Sequence, residues 1–330
     1  NRFSTTAGFY TEPYALSASI DGIKHVQIGI DGALYFTSSM GLVRRVDLES
    51  GLITRIAGSP FPDTDPTNPG LANPGKTGDG GLALDAKINT RGSLDFDSAG
   101  NLYFIQDMDG NNWSIRKVDK TTGIISTYLT GTTSNTQING SISTARIYHP
   151  DGMFIDRDNS MMYISTTDRG NYTIRGIDLL TDLVTTVAGN NGTTAKPSPA
   201  DGGALEIQLY NTNSPVYFEG ALYFMAGSRI QKYETGTVST VVGNWTDTIE
   251  SPDGTDASLV TFKGISQIAI APNGTLYIAT NGKIRTINRI SNVGDGTIST
   301  ISASATPTGR MAVDSLGNLY YGQSNQIWKI

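Results

Sequence analysis

Short apolar segments alternate with turn-forming residues along the whole chain of 330 residues. In six places an apolar run leads into a turn such as "DGA", "AGN", "EGA" or "NGT", and a second apolar run follows. Each second run carries a Leu-Tyr or Met-Tyr pair, at Leu34-Tyr35, Leu102-Tyr103, Met162-Tyr163, Leu222-Tyr223, Leu276-Tyr277 and Leu319-Tyr320. Asn-Gly or Asp-Gly turns between apolar runs favour hairpin connections. The pattern therefore predicts six β-hairpins.

The second strand of each predicted hairpin is apolar on both of its faces. In "NLYFIQ", Leu102 and Phe104 point to one side of the strand, and Tyr103 and Ile105 point to the other. A strand that alternates in this way but carries apolar residues on both faces has to be buried on both sides. We therefore expect these strands in the interior of the fold.

Two further apolar segments follow each hairpin. The third strands are "LVRRVDL", "SIRKVDK", "TIRGIDL", "RIQKYE", "KIRTINR" and "QIWKI", whereas only five fourth strands are found, "LITRIAG", "IISTYLTG", "LVTTVAG", "TVSTVVG" and "TISTISA". The opening residues "NRFSTTAG" match the pattern of the fourth strand that the last unit lacks. Six four-stranded antiparallel units in a ring make a β-propeller. We predict a single all-β domain, a six-bladed β-propeller whose N-terminal strand completes the last blade. The predicted blades are approximately 23–58, 91–131, 147–190, 207–244, 263–303, and 308–330 together with 1–8.

Several quoted segments have the form of a known repeat. The second unit reads "TGDGGLALDAKIN", "DFDSAGNLYFIQD", "SIRKVD" and "IISTYLTG", and the third contains "HPDGMFID" and "LVTTVAGN". On these motifs the chain resembles the NHL-repeat family of six-bladed propellers, of a bacterial surface or secreted type. The resemblance spans the whole chain and implies the fold, but such motifs say almost nothing about activity. The fourth and sixth units depart most from the pattern, since both lack the Ile-Arg-Lys core.

Composition restricts the classes of partner. The net charge is −6 with no basic tract, so the chain has no electrostatic footprint for nucleic acid. No apolar run approaches the roughly 18–20 residues that span a bilayer, and zero cysteines exclude disulfides and thiol chemistry. Low charge with abundant Gly is typical of short strands joined by tight turns. We expect a bacterial extracellular or cell-surface protein without membrane insertion. A signal peptide or anchor could precede residue 1, and the domain could belong to a larger surface protein.

The long connections are all predicted on one face of the propeller. They cover residues 59–89, 131–146, 190–206 and 245–262, and they lead from one unit into the next. A loop of about 30 residues without its own secondary structure is usually functional or disordered. We therefore place a ligand site on this long-loop face, near the mouth of the central channel.

Acidic, amide and aromatic side chains dominate that face. The candidate ligand-binding residues are Asp107, Asp109, Asn111, Trp113, Asp168, Arg169, Tyr172, Arg91, Arg146, His149, Phe61 and Trp245. Polar groups beside an aromatic ring suit a sugar, whose hydroxyls need hydrogen bonds and whose CH face can stack on the ring. Asp, Asn and Gly are also the ordinary residues of turns, which is the alternative interpretation of the same segments.

"DMDGNN" resembles the start of an oxygen-ligand calcium loop. Asp107 and Asp109 would be its first ligands, but the distal Glu of such loops is missing. A plain Asp-Gly turn explains the same residues. Calcium is therefore a possible cofactor, and the sequence indicates no other.

Two histidines are too few for a zinc centre built from several histidines. His149 stands before a first strand and could be a lone general base, although a residue capping the strand end explains it equally. Arg44, Arg116, Arg175 and Arg285 recur at one position of the repeat, which indicates a shared structural role.

Three functions fit these observations. The favoured one is a non-catalytic extracellular module that binds a glycan or a protein at the long-loop face. The first alternative is an enzyme, either a polysaccharide lyase or a metal-assisted lactonase or hydrolase, with His149 or a tyrosine as base and Arg146 or Arg91 neutralising the substrate. No catalytic set can be placed from the sequence. The second alternative is a structural module in a larger surface protein or filament.

Overall fold

The structure, a computed structural model, describes residues 14–16, 18, 20, 22–39, 41–59, 77–107, 113–131, 138–168, 171–190, 201–244, 249–288, 290 and 296–330. Within these ranges the chain forms antiparallel sheets arranged as the six blades of a β-propeller. The predicted fold is confirmed. In each blade the first strand of the predicted hairpin is the innermost, and the strands after it pair successively outwards.

The strands follow the predicted order along the chain. Blade 1 contains β1 (Ile23–Ile28), β2 (Leu34–Ser38), β3 (Leu42–Val46) and β4 (Ile53–Ala57). Blade 2 contains β5 (Thr90–Phe96), β6 (Leu102–Asp107), β7 (Trp113–Val118) and β8 (Ile125–Thr130). Blade 3 contains β9 (Gly140–Ser141), β10 (Pro150–Asp156), β11 (Met161–Asp168), β12 (Asn171–Asp178) and β13 (Leu183–Ala188). Blade 4 contains β14 (Gly202–Gly203), β15 (Thr212–Phe218), β16 (Ala221–Ala226), β17 (Arg229–Glu234) and β18 (Thr237–Gly243).

The last two blades complete the described ring. Blade 5 contains β19 (Ile265–Ile270), β20 (Leu276–Thr280), β21 (Lys283–Ile287) and β22 (Ile298–Ser302), preceded by a 3₁₀ helix at Ala257–Leu259. Blade 6 contains β23 (Ala312–Val313), β24 (Leu319–Gln323) and β25 (Gln326–Lys329). The short two-residue strands β9 and β14 pair with the outer strands of the blades that follow them along the chain.

In three of the hairpins the recurring tyrosine donates a hydrogen bond to an aspartate of the preceding turn. The Tyr103 hydroxyl donates to Asp97 at 3.2 Å, and the same carboxylate accepts the backbone N–H and side-chain amide of Asn101 at 2.8 Å. Gly100 in this turn has φ of +85°, a conformation that glycine adopts without steric cost. Tyr320 makes the same contact with Asp314, whereas Tyr35 donates to Asp31, which lies within its turn, four residues before the tyrosine. The Asp-x-x-Gly-Asn-Leu-Tyr pattern is thus a hydrogen-bonded turn.

Burial on both sides of the second strand is confirmed. Leu102 and Phe104 belong to an apolar cluster shared by blades 1 and 2, whereas Tyr103 and Ile105 belong to the cluster shared by blades 2 and 3. Apolar clusters of this kind lie between each pair of neighbouring blades. The core is therefore divided into layers that separate the blades, and each second strand contributes to two layers.

Blade 6 closes the ring against blade 1. Ile23 and Val26 of β1 share a cluster with Ala312 and Tyr320 of blade 6. The Ile23 N–H donates to the Ser324 carbonyl at 3.3 Å. Residues 1–8, predicted as the outer strand of blade 6, lie outside the described residues, so their pairing with β25 stays a prediction.

The recurring arginines hold the glycine-rich connections. Arg116 of β7 is fully buried, and its Nη2 lies 2.5 Å from Asp79 Oδ1 in the connection from blade 1. Its Nη1 donates to Gln106 at 3.1 Å. In blade 5, Arg285 contacts Asp253 at 2.9 Å and Glu250 at 3.0 Å. In blade 3, Arg175 donates to the Asn139 side chain at 2.7 Å. We call this contact the arginine clamp.

The connection at 77–88 also joins two blades through its backbone. The N–H groups of Gly58 and Ser59, after blade 1, donate to the carbonyls of Ala83 and Ala86. On the other side, Gly80 and Gly81 exchange hydrogen bonds with Ile125 in the outer strand of blade 2. The connection therefore spans the boundary between the two blades.

Candidate functional site

The long-loop face carries a group of aromatic rings at the boundary of blades 2 and 3. Trp113 begins β7 and is half-buried, and its ring centroid lies 5.3 Å from that of His149. The rings of His149 and Tyr148 are 4.6 Å apart. Tilted ring pairs at 4.5–7 Å are favourable arrangements. Two predicted ligand residues, Trp113 and His149, are thus brought together by the fold.

His149 has a left-handed backbone with φ of 41°. Such a conformation costs a non-glycine residue about 1–3 kcal/mol. The residues before the first strands of blades 1, 4 and 5 also have positive φ, and they are Gly22, Asn211 and Gly264. The turn into the first strand therefore requires this conformation in several blades, and it orients His149 independently of any catalytic role.

A second aromatic pair lies one blade further round the ring. Tyr172, near the start of β12, has its ring centroid 5.7 Å from that of Tyr210, which precedes blade 4. A backbone bridge between Tyr172 and Leu209 joins the two segments. Burial, followed by the nearby Tyr210 and Asp151, raises the pKa of Tyr172. The exposed Asp151 on β10 therefore lies near this pair and two positions along the chain from His149.

We call Trp113, Tyr148, His149, Tyr172 and Tyr210 the aromatic cluster. Tyr148 and Tyr210 were not among the predicted residues. A signal for them exists, because Tyr148-His149 and Tyr210-Asn211 occupy the same place before their first strands. Aligning the units on the left-handed residue brings the two tyrosines into register.

Asp107 is 3% exposed at the end of β6, directly opposite Trp113 in the β6–β7 pair. Its carboxylate is buried rather than open to the surface. Asp109, the other candidate calcium ligand, lies outside the described residues. Within the described ranges, no group of three or more His, Cys, Asp or Glu residues is arranged to hold a metal ion.

Arg146 is exposed and held by its own loop. Its Nη1 donates to the carbonyls of Thr144 and Ala145 at 3.0 and 2.9 Å, and its backbone pairs with Ile138. Arg91 and Asp168 are described by their backbone alone, while Asn111, Arg169, Phe61 and Trp245 lie outside the described residues.

His25, the other histidine, is 2% exposed on β1. Burial, followed by the charge of Arg310, holds its pKa well below the usual value of 6.5. Its Nε2 has no hydrogen-bond partner among the described residues. This imidazole is neutral and inaccessible at neutral pH, so it is not a surface base.

The chain matches no protein-family model and no curated protein sequence. Its fold is similar to several solved structures. A protein of unknown function from Bacteroides thetaiotaomicron has a TM-score of 0.61 at 12% identity, with 95% of this chain and 70% of that chain covered. Regucalcin, a calcium-binding protein from Agrobacterium tumefaciens, has a TM-score of 0.55 at 11% identity, with 94% and 84% covered.

A third similar structure is one domain of a longer chain. The extracellular domain of a putative hybrid two component system from B. thetaiotaomicron has a TM-score of 0.52 at 10% identity. The alignment covers 96% of this chain and 39% of that one. At these identities the similarity establishes the propeller fold alone. No helix in the described part of the chain is long and apolar enough to cross a bilayer.

Proposed function

We propose that this protein is a non-catalytic extracellular recognition module of the NHL-type propeller class, and that it binds a glycan at the aromatic cluster. The observation that carries the proposal is that two aromatic pairs, Trp113 with His149 and Tyr172 with Tyr210, lie at successive blade boundaries on the long-loop face. Half-buried rings with few polar groups beside them are the usual lining of small-molecule sites. Asp151 supplies an exposed carboxylate for sugar hydroxyls.

The polar groups around the cluster favour binding over catalysis. Arg146, the proposed partner of a substrate carboxylate, is engaged with the carbonyls of its own loop. His149 stands at a strand entrance whose backbone conformation recurs in other blades. Neither arrangement brings a base and a carboxylate-binding cation together. Similar folds occur in extracellular domains of longer bacterial proteins, which supports the surface location.

Native affinity electrophoresis against a panel of polysaccharides, with and without EDTA, tests the proposal. We expect one polysaccharide to retard the protein without releasing cleavage products, and Trp113→Ala and Tyr172→Ala to abolish the retardation. Trp328→Ala is the matched control, because Trp328 is 47% exposed on β25, away from the cluster. Cleavage products would instead indicate an enzyme. Retention that survives both cluster variants would refute the assignment of the site.

A further inference from the structure

A cavity lies on the propeller axis, at the end opposite the long loops. It has a volume of about 270 Å³ and is bounded by residues near the ends of first strands from blades 1, 3, 4, 5 and 6. The lining includes Gln27, Phe154, Arg157, Arg310, Asp314 and Ser315. The channel is thus open where the short turns meet, and two arginines line it.

Arg310 reaches across the axis. It comes from the inner edge of blade 6, and its Nη1 donates to the carbonyl of Met153 in blade 3. Its Nη2 donates to the Pro215 carbonyl of blade 4 at 3.0 Å. The guanidinium also lies over the Phe154 ring, with Cζ 5.2 Å from the ring centroid. These contacts fix the group at 6% exposure without a negative partner.

Arg157 lines the same cavity, and two of its three guanidinium nitrogens already have hydrogen-bond partners. Its Nη2 contacts Asp95 Oδ1 at 3.0 Å, and its Nε donates to the Phe96 carbonyl at 3.0 Å. Its Nη1 has no hydrogen-bond partner among the described residues. Asp95 is fully buried, and its other oxygen accepts the Ile155 N–H at 2.9 Å. This carboxylate is therefore saturated by Arg157 and backbone groups.

The other carboxylate at the cavity is also occupied. Asp314 accepts hydrogen bonds from the N–H groups of Leu316 and Asn318, from the Asn318 side chain and from the Tyr320 hydroxyl. In the described part of the chain, neither Asp95 nor Asp314 lies within ion-pair distance of Arg310. The cavity therefore holds Arg310, which has no described carboxylate within ion-pair distance, beside Arg157, whose carboxylate partner among the described residues is Asp95.

Burial of a cation without a paired anion is energetically unfavourable. Burial accordingly lowers the pKa of Arg310 to about 10, opposed by the charge of Asp95 and assisted by that of Arg157. At neutral pH the group still carries its charge. Guanidinium N–H groups match the oxygens of carboxylates and phosphates in geometry and charge.

We propose that the axial cavity binds a small oxyanion, a carboxylate or phosphate group, between Arg157 and Arg310. The cavity is smaller than the roughly 300–1,000 Å³ of drug-sized sites, so it fits a compact anion rather than a polymer. It lies at the opposite end of the channel from the aromatic cluster. The two sites therefore bind different ligands, and one does not depend on the other.

Thermal unfolding tests this proposal. The melting temperature is measured with inorganic phosphate, sulfate or succinate and compared with that in chloride at the same ionic strength. We expect at least one anion to raise the melting temperature saturably, by about 2–5 °C at a hundredfold excess over its Kd. Arg157→Gln should weaken that binding at least tenfold. Arg146→Gln removes the same charge from an exposed site on the long-loop face and should leave the binding unchanged.

Two results would overturn the inference. One is equal stabilisation by chloride and by all three anions, and the other is equal binding by the Arg157→Gln and Arg146→Gln variants. If Arg157→Gln does not fold, a crystal of the natural sequence soaked in selenate gives a direct answer. Selenium density within hydrogen-bond distance of Arg157 and Arg310 supports the site, whereas density confined to other surfaces refutes it.

Discussion

Replacing Asp79 by alanine tests the arginine clamp. The change removes the oxygen that lies 2.5 Å from Arg116 Nη2 and leaves a fully buried guanidinium with Gln106 as its remaining described partner. A hydrogen bond to a charged group contributes about 1.5–3 kcal/mol, and loss of one partner of a buried pair costs about 3–5 kcal/mol. The Asp79 side chain is 51% exposed, so solvent screening reduces the larger figure. We expect Asp79→Ala to lower the free energy of unfolding by about 2–3 kcal/mol.

Asparagine should be far milder than alanine at this position. Blade 3 already uses an amide in the clamp, since Arg175 donates to Asn139 at 2.7 Å. We therefore expect Asp79→Asn to cost about 1 kcal/mol or less. Asp85→Ala is the matched control, because this exposed residue lies in the same connection and makes no clamp contact. It should change stability by no more than about 0.5 kcal/mol.

Urea unfolding followed by tryptophan fluorescence measures these changes as shifts of the midpoint at constant slope. A double-mutant cycle with Arg116→Met separates the pair from its surroundings. Once Asp79 is removed, Arg116→Met should cost less than it does in the natural protein, since it removes an unpaired buried charge. Equal effects of Asp79→Ala and Asp85→Ala would refute the clamp as a stabilising contact.

Further predictions concern the ring and its hairpins. Folding lowers the pKa of His25, so protons bind preferentially to the unfolded chain. The free energy of unfolding should therefore fall as the pH drops below about 6.5, by up to about 1.4 kcal/mol per pH unit. Urea titrations from pH 7 to 5 should show that the free energy of unfolding depends less on pH in His25→Gln than in the natural protein. An unchanged pH dependence in this variant would contradict the assignment to His25. Deleting residues 1–8 should lower the melting temperature, because we predict that they add several hydrogen bonds to the sheet of blade 6, at roughly 0.5–1.5 kcal/mol each. A deletion variant as stable as the full chain would disprove the prediction that these residues form the outer strand of blade 6. Tyr103→Phe should lower the free energy of unfolding, measured in urea, by about 1 kcal/mol, because it removes the hydrogen bond from the Tyr103 hydroxyl to Asp97. Tyr223→Phe should lower it less, because the turn before Tyr223 has no equivalent aspartate.

Local pattern was sufficient to predict the hairpins, the burial of both strand faces and the ring of six blades. In "NLYFIQ" the alternation over four residues already determines that the strand lies between two apolar layers. The recurrence of Arg116, Arg175 and Arg285 indicated a structural role. Their partners could not be predicted, because the pairing of Asp79 with Arg116 joins residues 37 positions apart.

The candidate sites were predictable only in part. Trp113 and His149 were both identified, but their contact depends on how two neighbouring blades are set against each other. The contacts that Arg310 makes in the axial cavity could not be predicted. Arg310 meets carbonyls that are 157 and 95 residues away in sequence, and only the curvature of the closed ring brings them to one point. No spacing within a single repeat encodes such a meeting.

The connection at 77–88 has a consequence for how the protein comes apart. In open solenoids each repeat touches only its neighbours, and local unfolding can spread from a free end. Here a glycine-rich segment is bonded to the last residues of one sheet and to the outermost strand of the next. Unfolding of a single blade would break contacts with the neighbouring blade on each side. We therefore expect the propeller to unfold in one cooperative transition, without a populated intermediate in which a single blade has unfolded.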